Sequence, residues 1–465
     1  MRETLLLSGL LAALTLSCSA QSDLLFPHLR DVRQTLLRNP ATPQRHRVSV
    51  GLAHGALAYH APGFPMSVLT GEAPVATRLA AGVAGLPSTS RVRLEGRAEV
   101  LGLTLATRAG TFSFDLAQRG GGFVDVPAAG ARYVFLGDRH LAAEAFEVDA
   151  YDAAGLSFLE LGLGYAHALP GDERVRYGGR LKLLRGQGQG YVVEGRGETL
   201  TDAEGRRMVA AEGVLRSSGV AREGADSLTF ARDFLLGAGN PGLALDLGLH
   251  YAGDDGVRLG ISLLDLGGIR WRRFTQDYTF SGETTTPGLA GTLGPASTNR
   301  SALDTLTAQL DRVKAPDFAE STDYTQPYTR ALAPAVLVTA GYPLRSWLDL
   351  TLSYAGRLEG GQLGHAASVG AVARWGHALQ LGVAYGITEG VPHQLGISAA
   401  VELGPVQLFA ASDDLLGLID HDRLYATTLR AGLNVVVPEG GYGKLFAREA
   451  GRRGAHSRRV RCPKF

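Results

Sequence analysis

The 465-residue chain has only two cysteines, Cys18 and Cys462. Cys18 falls in a leader-like stretch and Cys462 near the C-terminus, so the mature chain has no intramolecular disulfide to form. A zinc site is excluded on the same count. Nowhere does the chain hold the roughly 18 consecutive apolar residues that a membrane helix needs. It also lacks a nucleophile elbow, a metal-binding His-Glu helix, a phosphate loop and a calcium loop, and its 12 histidines are scattered. His393 and Ser398 share one expected strand, but their odd separation puts them on opposite faces, which argues against a hydrolase site. The expectation is therefore no enzyme, no cofactor and no metal. An excess of one charge is missing too, with 46 basic residues against 45 acidic ones.

What is present is alternation. In the segment from Leu243 to Tyr251 every odd position is large and apolar, and every even one is small, charged or titratable. A two-residue period puts those sets on opposite faces of one strand. The pattern recurs at Val257 to Leu263, Leu348 to Tyr354 and Leu379 to Tyr385, often closed by a tyrosine. A soluble sandwich also alternates, but its solvent face is bulky and charged. Here the second face is mostly Gly, Ala and Ser with scattered charges, which suits a crowded barrel interior. The 62 glycines fit the same reading, because curved strands and tight turns tolerate them.

The N-terminus points to the cell envelope. Arg2 is followed by an apolar run from Leu5 to Leu16 and then Ser17-Cys18-Ser19-Ala20-Gln21, the pattern of a secretory signal peptide. Cleavage after Ala20 is the preferred reading. The rival is lipid attachment at Cys18, where Leu16 stands in a place usually held by a small residue. The expected organisation is a signal peptide at 1–20, an N-terminal periplasmic or plug segment at 21–46, an outer-membrane β-barrel at 47–437 and a basic periplasmic tail at 438–465. The N-terminal segment carries a short apolar-periodic stretch, Leu29 to Leu37, that reads as a brief helix stopped by Asn39-Pro40-Ala41. The Pro- and Gly-bearing stretch 61–88 is expected in the barrel mouth or interior as a plug, the alternative to the N-terminal helix in that role. Residues 439–465 hold eight basic side chains against two acidic ones. That tail is either solvated or a docking peptide for an envelope protein; nucleic acid is not an expected partner of an exported chain.

The fold class is all-β, a single transmembrane antiparallel barrel of about 14 strands (14 to 16). Strands are expected at 48–59, 92–107, 109–117, 156–168, 173–185, 188–199, 206–216, 242–252, 257–275, 333–342, 347–358, 365–375, 378–387, 393–403, 405–411 and 424–437. Because Leu249 and Tyr251 must share a face with Leu259 and Ile261, Asp254-Asp255-Gly256 is expected as a three-residue turn with Gly left-handed. The longest connection, 280–332, falls on the outer side and carries a capping-box signal at Ser301 to Asp304 ahead of an amphipathic helix. Asn299-Arg300-Ser301 is a chance sequon. Tyr165, Tyr251 and Tyr342 are expected at the periplasmic rim and Tyr354 and Tyr385 at the outer one, as two aromatic girdles. Asp246, His250, Arg258 and Asp265 are expected to project into the lumen, Asp265 where the period falters at Leu264. They read either as a strand-locking polar network or as a ligand or ion path.

Leu181 to Gly186, Gly242 to Tyr251, Gly260 to Trp271, Gly404 to Phe409, Asp413 to Leu416, Arg430 to Asn434 and Asn39-Pro40-Ala41 together resemble a family of Gram-negative outer-membrane barrels defined only as a domain of unknown function. The family pattern has Asn where Asp414 stands. The resemblance implies a barrel distantly similar to long-chain fatty-acid transporters, and no activity. Two functions stay open. One is passage of a small hydrophobic ligand across the outer membrane of a Gram-negative bacterium. The other is a non-conducting structural or assembly barrel that docks envelope or secretion partners through its tail and outer loop. Outer-membrane lipid and the barrel-assembly machinery are expected partners in both.

Overall fold

The computed structural model describes residues 24–70, 78, 81–83, 86, 88–128, 131–132, 147–149, 153–201, 207–219, 239–284, 318–324 and 326–438. The expected signal peptide, the helix after Ser301, the Asn299 sequon and the tail beyond 438 lie outside the described residues.

The strands are β1 His46–His60, β2 Thr89–Thr107, β3 Gly110–Pro127, β4 Glu147–Asp149, β5 Ala153–Leu169, β6 Asp172–Thr201, β7 Arg207–Ser218, β8 Asn240–Ala252, β9 Arg258–Trp271 and β10 Gln276–Thr284. They continue as β11 Phe318–Tyr324, β12 Tyr328–Ala331, β13 Ala335–Arg345, β14 Leu348–Glu359, β15 Gln362–Trp375, β16 Leu379–Thr388, β17 Val391–Leu403, β18 Val406–Ser412 and β19 Ala426–Pro438. Fourteen of them close a ring: β1, β2, β3, β5, β6, β8, β9 and β13 to β19 pair antiparallel in chain order, and β19 returns to β1. The start of β1, the end of β19 and tight turns such as 170–171, 346–347 and 404–405 share one end of the ring. The long connections lie at the other.

Alternation holds the ring open to two environments. Along β8, Leu243, Leu245, Leu247 and Leu249 are exposed while Ala244 and Asp246 are buried. The same outward exposure marks Leu259, Ile261 and Leu263 on β9, Leu350 and Leu352 on β14, and Leu381 and Val383 on β16. The β8–β9 turn is the expected one: Leu249 pairs with Ile261, Tyr251 with Leu259, and Gly256 has φ +84°. The faltering period at Leu264 is a bulge. Leu245 pairs with Leu266 and Leu247 with Leu263, so Asp246 stands opposite both Leu264 and Asp265. Asp265 takes φ +60° and turns its side chain inward with Leu264.

Two expectations need correction. The segments 173–185 and 188–199 are one strand, β6, whose far half leaves the ring to pair with β7, itself paired with β10 and then β11. The Gly186-Gln187-Gly188 interruption is where it leaves. The expected N-terminal helix is two 3-10 turns, Phe26–His28 and Arg33–Leu37. Asp31 breaks them apart at φ +62° while accepting a hydrogen bond from the Arg45 backbone N–H at 3.2 Å. The chain then stops at Asn39, whose Oδ1 accepts from the Ala41 N–H at 2.9 Å.

Residues 61–88 connect β1 to β2 at the long-loop end. Val83 and Leu86 pack there with Ala128 and Ala131 against Phe64, and the Met66 N–H bonds the Leu424 carbonyl. The described residues of the stretch make these contacts at the long-loop end. Its neighbour, the 413–425 connection, is capped by Asp414, whose carboxylate accepts from the Gly417 N–H at 3.1 Å. Asn serves an N-cap equally well, so this departure from the family pattern keeps the local fold.

Candidate functional site

The site is the lumen and the segment that crosses it. Leu24, Leu25, Phe26, Leu29, Val32 and Leu36 are all nearly fully buried, although they precede the first strand. The Phe26 ring packs tilted against Phe409 of β18, centroids 5.5 Å apart, under the Arg430 guanidinium. The rest of the segment is tied by polar groups to strands on every side. The Gln34 and Asn434 amides exchange two hydrogen bonds of 2.7 and 2.9 Å. Gln380 bonds both the N–H and the carbonyl of Arg30, and Ser262 donates to the Arg38 carbonyl at 2.6 Å. Arg33 pairs with Glu99, both side chains being 1 % exposed. Small inward residues make the room. A Cβ on Gly248 would meet the Asn39 Oδ1 at 2.2 Å, and one on Gly178 would meet the Pro40 carbonyl carbon at 2.7 Å.

Above this segment a layer of charge lines one wall. Arg180 of β6 bonds Asp115 of β3, Glu160 of β5 at 2.5 Å and Asp246 of β8 at 3.0 Å. Lys182 bonds Asp246 and Asp265, while Arg119 reaches from β3 to Asp265 on β9 at 2.8 Å. Arg97 adds bonds to Asp115 and Glu160. Four cations thus meet four carboxylates, which is the condition for keeping charges out of water.

Towards the long-loop end the lumen is bridged. Arg93 of β2 bonds Glu359 of β14 and Arg357 of β14 bonds Glu95 of β2, both at 2.8 Å. Arg91 reaches the Glu359 carbonyl at 2.9 Å and holds Asp125 with its other nitrogens. β2 and β14 stand seven places apart in the ring of fourteen, so this ion-paired strut spans it. On one side of the strut a cavity of about 400 Å³ is lined by Phe123, Leu156, Phe158, Leu332 and Leu358 over a floor of Arg119 and Asp265. At the tight-turn end a second cavity, of about 640 Å³, is lined by His28, Arg30, His250, Arg258, Asp349 and Arg374 among others.

The four lumen residues named from the sequence all lie inside, in two groups. Asp246 and Asp265 belong to the charge layer. His250 and Arg258 line the cavity at the tight-turn end, where Arg258 pairs with Asp349. Of the named tyrosines, Tyr165, Tyr342, Tyr354 and Tyr385 are exposed and Tyr251 is half-buried. The Tyr385 hydroxyl lies 2.5 Å from His393 Nδ1 on the outer face, while Ser398 is buried inside. The sequence reading missed Arg180, Lys182, Asp115, Glu160 and the strut. The alternating Leu181 and Leu183 could have placed Arg180 and Lys182 inward, but nothing local pairs them with particular acids. No cluster of metal-ligating residues occurs among the described residues.

Three solved structures show a distant likeness. A Pseudomonas aeruginosa FadL homologue is 9% identical with a TM-score of 0.43, covering 88% of this chain and 95% of that one. The Ralstonia pickettii toluene transporter TbuX is 8% identical with a TM-score of 0.44, covering 90% and 99%. The Pseudomonas putida toluene transporter TodX is 10% identical with a TM-score of 0.42, covering 91% and 96%. No curated protein matches in sequence. Residues 63–413, most of the barrel, match the model of a family of unknown function (DUF5723), and the chain belongs to that family.

Proposed function

We propose that this is an outer-membrane barrel that passes a small hydrophobic ligand, with residues 24–45 as its plug. The observation that carries the reading is a pair of cavities towards opposite ends of one lumen, with the chain's own N-terminal segment lining one and the charge layer above that segment flooring the other. The N-terminal segment takes no part in the strand ladder that closes the ring, so it can be displaced without unfolding the ring. The cavity at the long-loop end has an apolar side, Phe123, Leu156, Phe158 and Leu332, of the sort a hydrophobic ligand fills, beside charged groups that include Arg119, Asp265, Arg357 and Glu359. The apolar outer face supports a bilayer around the ring, with the long connections outside and the tail from 438 in the periplasm. Tyr165, Tyr251 and Tyr342 then stand near one interface and Tyr354 and Tyr385 near the other.

The test is uptake of a fluorescent hydrophobic probe into proteoliposomes by a Gln34→Cys/Asn434→Cys variant, with Cys462→Ser, joined by a bis-methanethiosulfonate linker whose two disulfides can be reduced. Tethering the plug is expected to lower uptake to the rate of empty liposomes, and reduction to restore it. Uptake that ignores the tether removes the plug from the mechanism. The second reading, a non-conducting barrel that docks envelope partners through its tail and its long outer connection, is favoured by the strut between β2 and β14, which braces the mouth shut.

A further inference from the structure

The cavity of about 400 Å³ at the long-loop end is lined by charge, and the charge cancels. Among the described residues its lining holds three cations, Arg119, Arg330 and Arg357, and three carboxylates, Glu95, Asp265 and Glu359. No Ser, Thr, Asn, Gln, Tyr or His joins them there among the described residues. Each carboxylate already has its cation. Arg357 donates to Glu95 at 2.8 Å and to Glu359 at 3.0 Å, and Arg93 of β2 also reaches Glu359. Arg119 and Lys182 donate to Asp265 at 2.8 and 2.6 Å, and Arg330 lies over the Tyr191 ring at 4.3 Å. These groups still present surface: Glu359 keeps 15% of its side chain exposed, Arg119 12%, and Asp265 and Arg357 11% each. The apolar side is Phe123, Leu156, Phe158 and Leu332.

Such a lining sorts ligands by charge. An anion entering it shares the guanidinium groups with acids they already hold, and takes the site from neutral to net negative. A cation takes it to net positive by the same count. Either leaves one charge without a partner of its own in a place largely withdrawn from water, which is costly. A wholly apolar ligand covers the presented charged surface and bonds none of it. A hydroxyl group adds no charge, donates to a spare lone pair of a carboxylate and accepts from a guanidinium N–H. We propose that this cavity binds an uncharged amphiphile, a compact apolar body carrying a hydroxyl group, and rejects the carboxylate and the ammonium of the same shape. The body lies against Phe123, Leu156, Phe158 and Leu332, and the hydroxyl meets the paired charges. This names the class of the ligand whose passage is proposed above, and rests on that reading.

Isothermal titration of the refolded full-length chain in detergent, at neutral pH, tests it with naphthol, naphthoate and naphthylmethylammonium substituted at the same ring position. The heat of each compound entering protein-free micelles is subtracted, and heat-modifiable gel migration certifies that every sample is folded. Naphthol is expected to bind at least about tenfold more tightly than either ion, the scale of one polar group left unsatisfied. Ala154→Trp, which fills the cavity from β5, is expected to abolish naphthol binding. Glu359→Gln leaves the lining one cation in excess and is expected to bring naphthoate to parity with naphthol or beyond; Asp265→Asn makes the same change at the floor should the first variant fail to fold. Arg174→Gln, at an exposed turn, leaves the preference unchanged. Absence of naphthol binding to the folded wild type, equal binding of naphthoate, unaltered affinity in Ala154→Trp, or a preference unmoved in a folded acid variant overturns the assignment. Passage is judged apart from binding: naphthol bound in the cavity but not taken up by proteoliposomes would remove transport and leave the site.

Discussion

Asp246 is fully buried, yet it is among the best-satisfied groups in the chain, with Arg180, Lys182 and the Asp265 backbone N–H all donating to it. Removing its charge leaves two buried cations short of a partner. Asp246→Asn is therefore expected to destabilise the folded barrel by about 3–5 kcal/mol, the usual cost of breaking a buried pair from one side. The urea midpoint in detergent reports it, and Arg174→Gln at the exposed Asp172 pair should leave that midpoint in place. His28 makes a separate prediction. Enclosure in the lumen, with Arg258 beside it, lowers its pKa from 6.5 to about 4, so it is neutral at pH 7 and hydrogen-bonded to Ser353. A folded pKa below the unfolded one means its stabilising share is present above pH 6.5 and is lost as pH falls towards 4. Hydrogen exchange of residues 26–37 should accelerate over that window in the wild type and less in His28→Gln. At this scale the sequence showed which side chains turn inward, because alternation is local. It could not show their partners, since the Arg119–Asp265 pair exists only once β3 and β9 are brought round the ring.

On the proposed reading a strand in this ring faces lipid on one side and the plug on the other, and the two facings can be tested on adjacent residues. Leu247 is 42% exposed at the middle of β8, on the outward face. Leu247→Arg is expected to cost about 2–4 kcal/mol in a bilayer and to stop liposome insertion, while Tyr251→Arg near the strand end costs about 0–1 kcal/mol. Normal insertion of the Leu247 variant would reverse the facing of β8. Gly248, the next residue, faces the Asn39-Pro40 turn with no space for a Cβ. Gly248→Val should therefore insert normally but release the segment, seen as faster proteolysis between residues 24 and 45. The ring strands were legible because each has an apolar outward face with a two-residue period. β10, β11 and β12 were not, since they lie beyond the ring, where sequences such as Tyr278-Thr279-Phe280-Ser281 carry no long apolar register. Asp265 shows the intermediate case: consecutive Leu263 and Leu264 betrayed a break, and the break is a bulge.

On the proposed reading two barriers cross the lumen, the N-terminal plug and the β2–β14 strut; the first was expected from the sequence as a periplasmic or plug segment at 21–46, whereas the second was not visible there. The plug read as a short helix, and the strut joins residues more than 250 positions apart. Barriers in series predict a particular form of non-additivity. If both must open for ions to pass, removing either alone leaves the other in place. Glu359→Gln weakens the strut, taking the charge from the partner of Arg93 and Arg357. Gly248→Val displaces the plug. Each single variant, and the wild type, is expected to be electrically silent in a planar bilayer, whereas the double variant is expected to conduct steadily. The coupling is readable from a double-mutant cycle because the two residues share no contact partner. A conducting Glu359→Gln barrel would show that the plug does not seal the lumen. A silent double variant, in protein shown to be inserted, would place the seal in the Arg180 charge layer instead, and Asp246→Asn would then be the variant to add.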